Sequence, residues 1–406
     1  MNFPQALDWL YATQQHGIKL GLAPVHRLLD ALGFDGSRQR FIHVAGTNGK
    51  GSVCAMLDAV CRAQGIRTAL YTSPHLVDFC ERIRIDGAMI GESEAAAGLT
   101  KIRGIVEAWE THPTFFEITT ALALDFFQRM NADVVILETG LGGRLDATNV
   151  VTPLISVITA IGLDHQIYLG ETLAEIAVEK AGIIKPQVPV VSAPQHAEAA
   201  AVLAHTAAEK KVPLEFIATP LENFRVNLAG GHQKLNAALA LAALHAAKIE
   251  VSQDAIRRGL NEVEWPGRFQ QIQNSVILDG AHNESAAQRL ALTWREVFGD
   301  ERATVILGVV DDKDATSICR ALLPIAASFV LCPVNSPRSS ETKKIAAILC
   351  ELDPVVVCTQ SNDLPHAIAL ATAQPNRTLI TGSLFLVGEA IAHLNPANSK
   401  PKTSAQ

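Results

Sequence analysis

Gly46-Thr47-Asn48-Gly49-Lys50-Gly51-Ser52 stands between an apolar run, Phe41 to Ala45, and the helix-like Val53-Cys54-Ala55-Met56-Leu57. A strand that feeds a glycine-rich loop into a helix N-terminus aims several backbone N–H groups and the positive end of the helix dipole at one point. Lys50 adds a full charge there, so the stretch predicts a phosphate-binding loop. It departs from the standard pattern twice. Val44 stands where that pattern has glycine, and Gly51 where it has a hydroxyl, so that Ser52 arrives one residue late.

Other stretches hold side chains suited to work beside such a loop. Ala132-Asp133-Val134-Val135-Ile136-Leu137-Glu138 reads as a buried strand ending in a carboxylate, a position from which an acidic side chain can reach a magnesium ion on the β- and γ-phosphates. Gly140, Gly142 and Gly143 follow it and let backbone approach a ligand closely. Thr114-Phe115-Phe116-Glu117 has the spacing of a capping box, while its two phenylalanines could wall an aromatic substrate or sit in the core. Asp164-His165 follows an expected strand at 154–159, the edge where α/β folds place ligand-binding residues, although a lone histidine is more often structural. Thr172-Leu173-Ala174-Glu175 is a second capping box, and its helix puts Leu173, Ile176, Ala177 and Lys180 on one face. Lys180 then either snorkels to solvent, pairs with a carboxylate, or has its pKa lowered by desolvation. A neutral amine there could take up carbon dioxide as a carbamate, an anionic metal ligand. His232-Gln233-Lys234-Leu235-Asn236, Pro266-Gly267-Arg268-Phe269 and Asp279-Gly280-Ala281-His282-Asn283 place further polar groups at strand ends and at a hinge, where a second domain could clamp a nucleotide.

The elements that must position these residues alternate along the chain. Strands are predicted near 41–45, 67–71, 133–137, 154–159 and 188–192, with helices near 52–64, 116–130 and 197–210, and a hairpin turning at Asp86-Gly87. Helices at 233–247 and 252–260 precede a break at Glu264-Trp265-Pro266-Gly267-Arg268. A second alternation follows, with strands near 275–279, 303–308, 327–331, 354–357 and 377–381 and helices at 284–297, 313–323, 339–351 and 383–393. The fold class is therefore α/β: a P-loop domain with a largely parallel sheet over 1–265, a linker over 266–274, and a smaller Rossmann-like α/β domain over 275–394. The polar stretch 395–406 is expected to be a disordered tail. Two domains suit a length of 406 residues. A net charge of −7 without a Lys/Arg block speaks against a nucleic-acid surface. Seven scattered cysteines without a C-x-x-C pair support neither a disulfide framework nor a structural zinc site, and Cys54 and Cys61 read as core residues. No run of about 18 apolar residues predicts a membrane span. A cytoplasmic protein working on small molecules is expected.

As a set, these motifs resemble the folylpolyglutamate synthase and dihydrofolate synthase family, close relatives of the Mur ligases. The likeness rests on Gly46 to Ser52, Tyr71-Thr72-Ser73-Pro74-His75-Leu76, Glu138 to Asn149, Asp164-His165, Glu179-Lys180-Ala181-Gly182-Ile183, His232-Gln233 with Asn236-Ala237, Pro266-Gly267-Arg268, and Asp279 to Asn283. The Lys-Gly-Ser ending of the loop is this family's form. The resemblance implies that Ser73, Glu138 and His165 bind Mg2+, that Lys180 is carbamylated and helps hold a second magnesium, and that Lys50, Lys180 and His165 are catalytic. It implies that Thr47, Asn48, Gly49, Lys50, Gly51, Ser52, Asn236, Arg268 and Asp279 hold ATP. It further implies that Thr114, Phe115, Phe116, Glu117, Leu145, Asp146, Ala147 and His282 contact substrate. Asn283-Glu284 departs from the family, which often has proline after the asparagine, as does Ala23, where a charged residue is common. The implied reaction is ATP-dependent amide formation between a folate or pteroate carboxylate and L-glutamate, carried out by a monomer. A Mur-type amino-acid ligase is the nearer alternative. A P-loop nucleotide switch is the more distant one, lacking here an Asn-Lys-x-Asp sequence.

Overall fold

Uninterrupted aliphatic runs form the centres of two sheets in the computed structural model, which describes residues 1–17, 21–272 and 275–395. The first sheet contains β1 (Arg40–Ala45), β2 (Thr68–Tyr71), β3 (Ile83–Ile85), β4 (Ala88–Met89), β5 (Val134–Glu138), β6 (Ile155–Ile158), β7 (Val190–Ser192) and β8 (Leu214–Phe216), in the order β4-β3-β2-β5-β1-β6-β7-β8. Pairing is parallel from β2 to β8, and the β3–β4 hairpin is antiparallel. Its turn is at Asp86 and Gly87, with φ of 50° and 81°, the left-handed pair that Asp-Gly favours. Strands β5 and β6 are buried throughout, because helices cover both faces, and so they read as apolar runs without alternation.

Register fixes what meets at the sheet's C-terminal edge. Val44 lies opposite Glu138 on one side and Val157 on the other. The phosphate loop, the Glu138 carboxylate and the turn leading to Asp164-His165 therefore leave the sheet side by side. The loop's own helix, Lys50–Ala63, is buried from Gly51 to Cys61, with Cys54 and Cys61 both in the core. It lies between the sheet and the helices Gly231–Ala246 and Gln253–Glu262. The other face carries Phe115–Arg129 together with Phe3–Ala12, Ala23–Leu32 and Glu92–Val106, three helices that the apolar periodicity does not announce. The first two bury only three side chains each, and the third packs largely through small residues such as Ala95, Ala96 and Gly98.

The second sheet contains β9 (Gln270–Ile272), β10 (Val276–Leu278), β11 (Ala303–Leu307), β12 (Ala326–Leu331), β13 (Cys358–Gln360) and β14 (Thr378–Thr381), in the order β13-β12-β11-β14-β10-β9. Only β9 runs antiparallel, pairing Gln271 with Ile277 within the stretch read as linker. The strand expected at 354–357 lies instead at Cys358–Gln360. Asp353 forms a turn there, its carbonyl accepting from Val356 N at 3.1 Å, and Pro354 has no N–H for a ladder. A helix at Leu364–Thr372, capped by Asp363, was not anticipated. Of the expected tail, 396–406 lies outside the described residues. Among the described residues no helix is long and apolar enough to cross a membrane.

Trp265, where the helical region ends, packs against the first turn of the phosphate-loop helix. A Cβ on Gly51 would lie 2.6 Å from the Trp265 Nε1 and 3.0 Å from its Cε2. A side chain at 51 must therefore push the indole out of a packed position, while Arg84 sits over the ring at 5.5 Å from its centroid. This contact explains the missing hydroxyl at Gly51. Gly51→Ser should destabilise the protein by about 1–3 kcal/mol, an overpacking penalty. Adding Trp265→Ala should make the double variant less unstable than the sum of the two singles, measured by denaturant unfolding of all four proteins; additive losses would refute the contact.

Candidate active site

The C-terminal edges of the two sheets face one another across a cleft. Gly46 to Ser52, Ser73, Glu138, Gly140 to Gly142, Asp164, His165 and Lys180 line it from the first domain, and Arg268, Phe269, Asp279 to His282 and Arg289 from the second. His232, Gln233 and Asn236 reach it from the start of the helix Gly231–Ala246. The loop takes left-handed backbone at Gly46 (φ 150°) and Gly49 (φ 93°). It is tied to the exit of β6, since Thr47 N and Asn48 N donate to the Ala160 carbonyl at 2.9 and 3.1 Å. A Cβ on Gly49 would come within 3.0 Å of Asn236 Oδ1, so the amide abuts the loop.

Two lysines converge on one carbonyl. Lys50 Nζ donates to Gly46 O at 3.0 Å and to Thr47 O at 3.3 Å, and Lys180 Nζ donates to the same Gly46 O at 2.8 Å. Lys180 is only 4% exposed. Burial, then the charge of Lys50, lowers its pKa to about 7 against the pull of Asp164 and Asp146. The Glu138 carboxylate is buried and accepts from Ser73 N at 3.1 Å. Burial raises its pKa, while Lys50, the Ser73 N–H and Arg268 oppose the rise. A carboxylate held this way gains most from a cation beside it. The oxygens of Glu138 and Ser73 are hard donors suited to magnesium, which keeps several waters and completes its shell with phosphate oxygens. Among the described residues no group of three His, Cys, Asp or Glu side chains is placed to hold a metal ion. His165 has a left-handed backbone (φ 52°), and its side chain stays 41% exposed at the mouth of the cleft.

The second domain presents its own set. Asp279 accepts from Phe269 N at 2.8 Å and from Ala281 N at 2.9 Å, and burial raises its pKa against the nearby Arg268. His282 Nδ1 lies 2.7 Å from Gly280 O, and its Nε2 is 3.6 Å from Asp164 Oδ2. Asn283 Oδ1 accepts from Ala286 N and so starts the helix Glu284–Phe298; its amide also pairs with that of Asn48 at 3.1 and 3.2 Å.

Thr114, Phe115, Phe116, Glu117, Leu145, Asp146 and Ala147 do not line this cleft. Thr114 and Glu117 form the capping box of Phe115–Arg129, at 2.7 and 3.3 Å, and the buried Phe115 stacks on Tyr11. Phe116 lies behind the glycine turn, where a Cβ on Gly140 would be 2.5 Å from its ring. Asp146 holds the same turn by accepting from Gly140 N at 2.9 Å and Leu141 N at 2.8 Å. Ala147 is buried and Leu145 half-buried. Lys313 was missed by the sequence reading: it forms an ion pair with Asp164 in which each side chain is only 8% exposed. Its signal was the charged run Asp311-Asp312-Lys313-Asp314 just beyond an apolar strand.

Comparison with known proteins places this cleft in a family. Residues 44–212 match the Mur ligase middle domain, and residues 267–384 match the Mur ligase glutamate ligase domain. The dihydrofolate synthase/folylpolyglutamate synthase of Bacillus subtilis is 35% identical over an alignment of 421 positions, gaps included, covering 95% of this chain and 98% of that protein. Its Escherichia coli counterpart is 36% identical, covering 98% and 96%. Among solved structures, E. coli FolC in complex with DHPP and ADP superposes with a TM-score of 0.88 at 32% identity, over 97% of this chain and 98% of that one. The Mycobacterium tuberculosis folylpolyglutamate synthase complexed with ADP and AMPPCP gives 0.90 at 32% identity, over 99% and 100%. With both Mur ligase domains in order and full-length likeness to these enzymes, the chain belongs to the dihydrofolate synthase/folylpolyglutamate synthase family of ATP-dependent ligases.

Proposed function

We propose that this protein joins L-glutamate to a pteroate or folate carboxylate through an acyl phosphate, and that one active site performs both the dihydrofolate synthase and the folylpolyglutamate synthase reactions. The observation that carries this reading is the single cleft in which a phosphate loop and the buried Glu138 face Arg268, Asp279 and His282 of a second domain. A nucleotide switch would not account for the groups on the second domain, and the relatives named for both synthase activities favour folate over muramyl substrates. The protein works as a cytoplasmic monomer.

In this reading the backbone N–H groups of Gly49 to Ser52 and the Lys50 ammonium hold the phosphates of ATP. Asn236, Arg268 and Asp279 hold the rest of the nucleotide. Ser73, Glu138 and His165 would hold magnesium, which withdraws charge from the phosphate oxygens. The substrate carboxylate attacks the γ-phosphorus in line, ADP leaves, and an acyl phosphate forms. The glutamate amine, delivered beside His282, then attacks the acyl carbon, and inorganic phosphate departs. Lys180 can supply a neutral amine near pH 7; carbon dioxide taken up there would give a carbamate, an anionic oxygen donor that would hold a second magnesium. Phe116 and Asp146 shape the Gly140-Leu141 turn from behind, and Thr114, Phe115, Glu117, Leu145 and Ala147, which do not line the cleft, would act on the pterin only through the helix and turn they stabilise.

Dihydropteroate and tetrahydrofolate, supplied separately with ATP and glutamate, should each release ADP and yield an amide product; release only with a muramyl nucleotide would replace the folate reading by the Mur-type one. Lys50→Ala should lower ATP turnover by about 10²–10³-fold or more, and normal turnover would remove the loop from phosphate binding. Lys180→Ala should lower turnover by about 10- to 100-fold, with partial recovery on adding a short carboxylate. Because the neutral fraction of Lys180 grows as pH rises through about 7, bicarbonate should stimulate the wild type more at pH 8 than at pH 6. Full activity of the variant, or equal stimulation at both pH values, would exclude the carbamate.

A further inference from the structure

The cleft is closed on one side by a polar seam between the domains. Asp164, beyond β6 of the first domain, meets Lys313, beyond β11 of the second, in an ion pair with both side chains nearly buried. The other Asp164 oxygen accepts from Asn283 Nδ2 at 2.9 Å and faces His282 Nε2 at 3.6 Å. Asn283 in turn shares a reciprocal amide pair with Asn48 of the phosphate loop, whose Nδ2 also donates to Ser285 Oγ at 2.6 Å. The seam therefore runs unbroken from the loop to the far domain, and Thr47 Oγ1 anchors its near end to Gly162 O at 3.0 Å.

We propose that Asp164 and Lys313 are positioning residues, a latch that holds the second domain shut on the phosphate loop while the acyl phosphate waits for glutamate. Neither touches the reacting atoms in this proposal. A buried ion pair adds little net stability against a well-packed alternative, but removing one partner leaves the other charge buried and unpaired in the closed state, which then gives way to an open state in which that charge is hydrated. The consequence is chemical. With the domains shut, the only nucleophile beside the acyl carbon is the glutamate amine. With them parted, water enters, adds to that carbon and releases phosphate, so the carboxylate is regenerated and an ATP is spent without an amide.

This inference rests on the ligase reading, and its test separates the two. For wild type, Lys313→Met and Lys313→Arg, ADP release and glutamate incorporation are measured together at saturating substrates. Compactness with a non-hydrolysable ATP analogue is followed by small-angle scattering. ADP released per amide formed should be near one in the wild type and rise about tenfold in Lys313→Met, as expected when a buried charge that favours the closed state is removed. Lys313→Arg should restore most of the coupling, and the Met variant alone should scatter as a more open particle. A Met variant that is slow but still makes one amide per ADP, or one that closes as the wild type does, would overturn the latch. If the wild type forms no amide at all, the ligase reading fails, and the scattering comparison alone decides whether the pair holds the domains together.

Discussion

Two ammonium groups approach the carbonyl oxygen of Gly46 at 3.0 and 2.8 Å, and the site is organised around that meeting. Burial, and after it the charge of Lys50, penalises the ammonium form of Lys180, and Lys180 is the one that yields. The result sets Lys180, which can be a neutral amine near pH 7, beside the lysine of the phosphate loop. Gly46 can serve both only because its left-handed backbone turns the loop there, and because the side chain of Thr159 fills the space where a Cβ would point. The division of labour between two chemically identical side chains thus follows from backbone geometry and burial.

The parallel sheet supplies the frame for this meeting. Val44 in register with both Glu138 and Val157 brings the ends of three strands to one line, so the loop, the carboxylate and the Asp164-His165 turn need no long excursions to meet. A second parallel sheet, whose own strand ends carry Asp279 and Lys313, faces that line. Each sheet has its own hydrophobic core, and the two are joined both by the polar contacts at the cleft and by Leu76 and Val77, which reach from the first domain into the core of the second.

Much of this was legible along the chain because the signals were local. The spacing of Leu173, Ile176, Ala177 and Lys180 places the lysine on the apolar face of its helix, and an apolar run ending in Glu138 locates the carboxylate. The Thr114 to Glu117 stretch was legible as a cap but not as to its distance from the cleft, since a capping box specifies only its own helix. Lys313 was legible only as a charge in a run beyond an apolar strand, and its pairing was not legible, because its partner Asp164 lies 149 positions earlier. The strand expected at 354–357 failed for the opposite reason. Pro354-Val355-Val356-Val357 has strand-like composition, but Val355 and Val357 are left exposed and the ladder begins only at Cys358. Composition favours a strand there, while Pro354 and the Asp353 turn delay it.

The contact between Gly51 and Trp265 has an implication for how such loops are inherited. A phosphate loop is commonly treated as a cassette whose sequence is sufficient for its task. Here the identity of residue 51 is dictated by an indole more than half the chain away, at the doorway to the second domain. The two positions form one unit of variation: a lineage could regain the hydroxyl of the standard loop only by first giving up the tryptophan, and a loop grafted from another nucleotide-binding protein would arrive with a side chain where this fold has room for none.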